Sequence, residues 1–251
     1  MEIQFQFSPE DRRSAREFFD ARRNHSFVKA RHRRNVEGER AALCESEFWE
    51  ALVSALLTSR QRSGPGSAVN RFISATPFPL QLVNCQSSSD AEVMVLDAIR
   101  QCGGIRFGPT IAKSLAMNLK HLEHDGWSSV LPLLSELEAS SCVAKERTAA
   151  AYLSANLRGI GPKQSRNVLQ MLGLTKYEIP LDSRVVKWLN SEVAFPIKLN
   201  AALLAEEAFY RFVSDAFQSL CREVDVLPCL MDAAIFASVD KQQSDCQTVR
   251  W

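Results

Sequence analysis

The stretch Leu157-Arg158-Gly159-Ile160-Gly161-Pro162-Lys163-Gln164-Ser165-Arg166 concentrates more chemistry than any other part of the chain. A helical pattern runs into Gly159-Ile160-Gly161 and a second one leaves it. Two glycines let the chain turn tightly through backbone conformations that other residues avoid. Such a turn aims unpaired N–H groups outward at the start of the second helix. The helix dipole adds positive charge there, so the turn can hold an anion such as a phosphate. Pro162 suits the first turn of that helix, where its missing N–H would have no partner anyway. Lys163 follows at the helix mouth. An amine in that place is either a phosphate contact or, once deprotonated, a nucleophile. The positive helix end, partial burial and Arg166 each disfavour its ammonium form, whose ordinary pKa is about 10.4. Nineteen residues later Asp182 follows Pro180-Leu181 and precedes Ser183-Arg184-Val185. It is either the cap of a helix, a role Asp favours, or a carboxylate that stabilises developing positive charge.

The elements that must position these residues read as helices almost throughout. Ser8-Pro9-Glu10-Asp11 looks like a cap and a proline opening a helix toward Arg23. Phe48, Leu52 and Leu56 recur at four-residue spacing, which predicts an amphipathic helix from about Ser46. It should stop in the polar stretch Thr58–Ser67, where Gly64-Pro65-Gly66 is a turn signal, and Pro77 and Pro79 mark a loop. Further helices are expected over Ala91–Arg100, Pro109–His121, Trp127–Ala139, Ala144–Leu157, Lys163–Leu172, Ser183–Asn190, Asn200–Cys221 and Leu230–Ser238. Ile3, Phe5 and Phe7 alternate, but the run is too short to predict a sheet. The fold class expected is therefore all-α.

Here the sequence resembles the helix–hairpin–helix DNA glycosylase superfamily, which includes endonuclease III and the 8-oxoguanine DNA glycosylases. Leu157, Gly159, Ile160, Gly161 and Lys163 match the family's hairpin, and Asp182 matches its acidic position beyond it. Lysine at position 163 is similar to the bifunctional glycosylase/lyases. Less specifically, Leu56-Leu57-Thr58-Ser59-Arg60-Gln61 resembles the helix end that fills the gap left by a flipped base. Gly104-Ile105-Arg106-Phe107 with Ala112 resembles the turn that wedges into the duplex in the 8-oxoguanine branch. The likeness spans roughly Phe48–Ser238. It departs in three places. The four-cysteine iron–sulfur loop is absent, Asn167 stands where one 8-oxoguanine subgroup has a cysteine, and no N-terminal β-domain is evident.

The resemblance implies two packed helical subdomains with a cleft between them. Residues 1–240 would form one glycosylase fold, with 60–175 as the central subdomain, 1–59 with 176–240 as the other, and 241–251 as a polar tail. It implies removal of an oxidised purine, 8-oxoguanine first, from damaged double-stranded DNA. Lys163 would form a Schiff base at sugar C1′ and permit β-elimination, while Asp182 stabilises the charged sugar. A base inside a duplex is out of reach and must be flipped out. Gly159, Ile160, Gly161, Arg166, Arg60, Gln61, Arg106 and Phe107 would contact DNA. Trp188, Phe209, Phe212 and Met231 would wall the base pocket, with Asp215, Gln218 or Asp232 reading an N–H edge. The carbonyls of Leu157 and Ile160 would hold a structural monovalent cation. No other cofactor and no iron–sulfur cluster is expected. The other readings are excision of oxidised pyrimidines or alkylated bases, and a non-catalytic DNA-binding module in which Lys163 touches phosphate and Asp182 only caps.

Composition is compatible with this. The chain has 251 residues, 30 Lys and Arg against 29 Asp and Glu, 10 Gly and 10 Pro, which excludes a disordered or collagen-like chain. Its near-neutral charge hides a basic run from Ala21 to Arg40, including Arg22, Arg23, Lys29, Arg31, Arg33, Arg34 and Arg40. That run either tracks a phosphate backbone or forms a solvated helix face. Seven cysteines occur without CxxC spacing, as expected of reduced thiols in the cytoplasm, nucleoid or nucleus. His25, His32, His121 and His124 lack ligand or triad spacing. No signal peptide or membrane span is expected, and a monomer suits an enzyme that encloses one lesion.

Overall fold

The computed structural model describes residues 4–193 and 195–239. The tail with Cys246 and Trp251 lies outside them, as does Ile3. Thirteen α-helices occur among the described residues, and no strand: α1 (Pro9–Asp20), α2 (Ser26–Arg31), α3 (Glu45–Leu57), α4 (Ala68–Ile73), α5 (Leu82–Ser87), α6 (Ala91–Cys102), α7 (Gly108–His121), α8 (Trp127–Ala139), α9 (Val143–Asn156), α10 (Pro162–Met171), α11 (Ser183–Ser191), α12 (Glu207–Glu223) and α13 (Pro228–Val239). Short π-helical turns at His32–Val36 and Leu122–Gly126 extend α2 and α7, and a 3₁₀ turn covers Leu203–Ala205. The chain is all-α, and none of these helices is long and apolar enough to cross a membrane.

Two apolar cores organise the helices. The first gathers buried side chains from Phe48 to Leu174, and the second joins Ala15 to side chains from Ile179 to Ile235. The expected division at residue 59 is therefore misplaced. Helix α3 belongs to the first core, because its residues are apolar nearly all round and Phe48, Trp49, Leu52, Val53 and Leu57 are fully buried. A helix with no polar face has to sit inside a core rather than on its surface.

Local chemistry explains most boundaries. Ser8 and Asp11 form a reciprocal capping box ahead of Pro9. The helix expected over Asn200–Cys221 is split. Asn190 pins Leu199 through both its amide atoms, and Asn200 Oδ1 accepts the N–H groups of Ala202 and Leu203. Glu206 then caps α12 at Phe209 N–H. Phe5 belongs to no sheet; it lies 5.3 Å from the ring of Phe212, and Phe7 also packs on the second core.

The basic run follows neither expectation throughout. Arg31 is buried in an ion pair with Asp232 at 2.9 Å. Arg34 donates to the carbonyl of Gln170 at 3.3 Å and Arg40 to that of Gly173 at 3.2 Å. Cations on the carbonyls of Gln170 in the last turn of α10 and of Gly173 just beyond it offset the negative end of the helix dipole.

A buried charge network joins the two cores. Arg166 is 0% exposed; its Nε donates to Glu178 at 3.0 Å and its two terminal nitrogens to Glu207 at 2.9 and 2.8 Å. Arg147 donates to the other oxygen of Glu178 at 2.8 Å and pairs with Asp215. The Arg166 guanidinium also lies 4.6 Å from the centre of the Tyr210 ring. Arg166 is thus structural, and the expected DNA contact is wrong for it: two carboxylates hold it inside the protein. Breaking a buried pair strands the charge left behind. Arg166→Ala is expected to cost about 3–5 kcal/mol of stability, read as a lower urea midpoint. A shift near zero would show that the network carries no structural load.

Candidate active site

Helices α9 and α10 meet in the hairpin Leu157–Gly161, which is locked from two sides. Leu157 and Ile160 are buried. Asn118 of α7 donates to Arg158 O at 3.0 Å and accepts Arg158 N–H at 2.7 Å. Gly159 has φ +80°, and a Cβ there would lie 2.8 Å from Leu56 Cδ2 of α3, so only glycine fits both the turn and the gap. The turn presents Gly161 and the start of α10 to an open cleft.

That cleft has a volume of about 900 Å³ and is lined by Arg60, Arg62, Arg106, Lys163, Asp182 and Arg184 among others. Cations outnumber the one carboxylate among these six, which suits an anionic partner. Lys163 is half-buried and has no hydrogen bond or ion pair among the described residues. Burial holds its pKa below the ordinary lysine value; Arg184 adds to this, and Asp182 and Asp232 oppose it. An amine with no partner for its ammonium form is the more easily deprotonated.

Asp182 arrives by a different route. Glu146 accepts the N–H groups of Lys176, Tyr177 and Glu178 at 2.8, 3.0 and 2.7 Å. Tyr210 OH donates to Ile179 O at 2.9 Å and accepts Leu181 N–H at 2.7 Å. The strap 176–181 is thereby fixed, and Asp182 caps α11 by accepting the N–H groups of Arg184 and Val185 on Oδ1. Its other oxygen accepts Arg184 Nε at 2.7 Å. Burial raises the Asp182 carboxyl, but Arg184, Lys163 and the backbone outweigh it and hold it below the usual carboxylate range. Cap and site residue are the same side chain.

The remaining candidates divide. Arg60 and Phe107 have φ of +57° and +62°, two of the three non-glycine residues in the left-handed region among the described residues. Strain of this kind collects where function demands it. Phe107 is 43% exposed, with the Arg106 guanidinium 4.9 Å from its ring centre. Gln61 is committed elsewhere: Nε2 donates to Leu57 O at 2.6 Å and Oε1 accepts Arg106 N–H at 2.8 Å. It ties the end of α3 to the Arg106 turn, so Arg60 is left as the projecting side chain of that pair.

The expected aromatic walls are not at the cleft. Trp188 and Met231 are buried in the second core, where Trp188 packs on Phe18 and Phe217. Phe209 and Phe212 stack on one another against that same core. Asp215 and Gln218 serve the buried network, Asp215 through Arg147 and Gln218 through Glu178. Asp232 does border the site. With Lys163, Asp182, Arg184, Gln170 and Phe236 it lines a recess of about 40 Å³ behind the cleft. Its Oδ2 accepts Arg31 at 2.9 Å and Gln170 Nε2 at 3.0 Å, while burial raises its carboxyl despite Arg31. The buried Oε1 of Gln170 has no hydrogen-bond partner among the described residues. Sequence reading missed Arg184, Gln170 and Phe236. The i, i+4 spacing of Asp232 and Phe236 was the available signal.

This arrangement defines a helix–hairpin–helix fold whose lysine and aspartate share one cleft. No family model and no curated protein matches the sequence. Among solved structures, the crystal structure of the 8-oxoguanine DNA glycosylase of Thermotoga maritima superposes with a TM-score of 0.65 at 15% identity, covering 93% of this chain and 100% of that one. The chain shares the fold of that glycosylase.

The lowered pKa of Lys163 fixes the sign of a stability effect. The unfolded chain binds this proton up to the ordinary lysine pKa, while the folded chain loses it earlier. Stability therefore rises with pH between the folded and unfolded values, and below them the buried ammonium is a net cost. Lys163→Met is expected to raise the melting temperature at pH 7, with the gain shrinking as pH climbs toward the unfolded value. A melting temperature that falls would contradict this.

Proposed function

We propose that this protein is a DNA glycosylase with AP lyase activity that removes 8-oxoguanine from duplex DNA. The observation that carries the proposal is the unpaired, half-buried Lys163 at the mouth of the hairpin, in one cleft with Asp182. The fold shared with the Thermotoga maritima enzyme supports it.

In this reading the turn at Gly159 and Gly161 holds a phosphate on backbone N–H groups. Arg60, Arg106 and Phe107 enter the duplex where the base has left the stack. Among the described residues the carbonyl of Ile160 accepts no hydrogen bond and that of Leu157 accepts only Ile160 N–H, at 3.3 Å, so both have lone pairs for a monovalent cation that would tie the hairpin to phosphate. The C1′–N bond breaks with its electron pair going to the base, which takes up a proton. The Asp182 carboxylate stabilises the positive charge that grows on the sugar. Neutral Lys163 gives its lone pair to C1′. Loss of its proton and opening of the sugar ring leave an imine. The imine acidifies C2′; removal of that proton expels the 3′ phosphate by β-elimination. The partner is DNA carrying a damaged base, met by a monomer inside the cell.

Borohydride reduces an imine to a stable cross-link. With duplexes carrying 8-oxoguanine, thymine glycol, an abasic site or no lesion, adducts are expected on the 8-oxoguanine and abasic duplexes. They should vanish in Lys163→Gln. An adduct on thymine glycol instead would move the substrate to oxidised pyrimidines, and none at all would leave a DNA-binding module. Asp182→Asn should slow base release by roughly 10²–10³-fold in single-turnover assays. Asn keeps the cap but loses the Arg184 ion pair, so a modest fall in melting temperature is expected beside the slower excision; unaltered excision would remove Asp182 from the chemistry.

A further inference from the structure

Lys163 and Asp182 differ in a way the reaction does not require: the lysine is unpaired and the aspartate is clamped. Arg184 donates to Asp182 Oδ2 through Nε at 2.7 Å and through a terminal nitrogen as well. The same guanidinium sits over Phe236, its carbon 4.1 Å from the ring centre. Arg184 lines both the outer cleft and the recess behind it. The recess, at about 40 Å³, has room for water and none for a purine ring. The aromatic ring that lines the recess is thus covered by a cation, and the same cation neutralises the Asp182 carboxylate.

We infer that Arg184 is a substrate-operated gate, a step that rests on the glycosylase reading above. Its guanidinium occupies the stacking place of the extrahelical base while the site is empty, and it transfers to a backbone phosphate when DNA fills the cleft. One movement then uncovers the ring of Phe236 and frees the Asp182 carboxylate.

The geometry permits this without unfolding anything. The bonds that cap α11 use Asp182 Oδ1 and the backbone N–H groups of Arg184 and Val185. The bonds to the Arg184 side chain use Oδ2. The side chain can leave while its own backbone keeps the cap. Arg184 is 35% exposed, so it starts at the edge of the protein rather than inside it. A guanidinium binds phosphate as it binds carboxylate, in a planar charge-assisted fork. Exchange is close to even when a phosphate is within reach, and costly when none is. A ligand shifts such an equilibrium only through its preference for one state, and DNA supplies that preference by its phosphate and its base together.

Two variants separate the two halves of the gate. Arg184→Met removes the plug and the phosphate contact. Arg184→Lys keeps a cation for phosphate but loses the planar fork and the guanidinium cover over Phe236. The probes are free 8-oxo-2′-deoxyguanosine and a duplex with an uncleavable tetrahydrofuran abasic analogue. For the nucleoside, both variants should bind roughly tenfold tighter than the wild type, the order expected when one charge-assisted bond no longer has to be broken. For the duplex, the slope of log affinity against log salt should lose about 0.9 in Arg184→Met and stay as in the wild type in Arg184→Lys. Thermal melts report whether each variant is folded, and Arg184→Lys carries the nucleoside test should Arg184→Met fail to fold. Nucleoside affinity that is unchanged, weaker or undetectable in the folded variants overturns the gate, as does an unchanged salt slope in Arg184→Met. Failure of the glycosylase reading looks different: the wild type then traps no imine with borohydride on any lesion duplex, whatever Arg184 does.

Discussion

Three successive backbone N–H groups, those of Lys176, Tyr177 and Glu178, converge on the carboxylate of Glu146, and the placement of the site depends on that convergence. The strap they belong to leads directly to Asp182. Burying an unpaired peptide N–H costs about 1–3 kcal/mol, so a chain with three of them must be held where a single acceptor can serve all three. The side chain of Glu178 points the other way, into Arg147 and Arg166. The strap is consequently gripped by its backbone from α9 and by the Glu178 side chain from both α9 and α10. Since α10 also carries Lys163, the element that holds the amine and the element that delivers the carboxylate are connected through charges that water cannot screen.

Rigidity in this network contrasts with the looser electrostatics of the cleft. Arg166 is wholly enclosed and bonded by two carboxylates, whereas the cations facing the cleft, Arg60, Arg62 and Arg106, have no ion-pair partner among the described residues. Lys163 lies between the two regimes: enclosed enough to lower its pKa, yet unpaired. A protein optimised only for stability would pair or remove that amine. In the proposed reaction that cost to the fold is the counterpart of the amine's reactivity.

The fold was legible because its signals are local. Caps, prolines and four-residue apolar spacing locate α1, α3 and α6–α11 closely, and Trp127–Ala139 was read to the residue. Hairpin and aspartate were legible for the same reason: a glycine turn and a helix cap are written in adjacent residues. What was not legible depended on partners far away in sequence. Arg166 looks like a surface cation until Glu178 and Glu207 are placed beside it. Trp188, Phe209, Phe212 and Met231 look like the walls of a pocket, because nothing in their spacing tells a core from a recess. Arg31 belongs to a basic run, yet its partner Asp232 lies about two hundred residues away. Short helices such as α2, α4 and α5, six residues each, carry too few apolar repeats to be read from periodicity.

In the proposed chemistry the amine of Lys163 becomes bonded to the sugar of the excised base. Borohydride-trapped adduct formed on an 8-oxoguanine duplex, digested with protease and nuclease, can be mapped by tandem mass spectrometry. The reduced sugar remnant is expected on Lys163 within the α10 peptide. A remnant on Lys113, Lys120 or the N-terminal amine, with Lys163 unmodified, would contradict it.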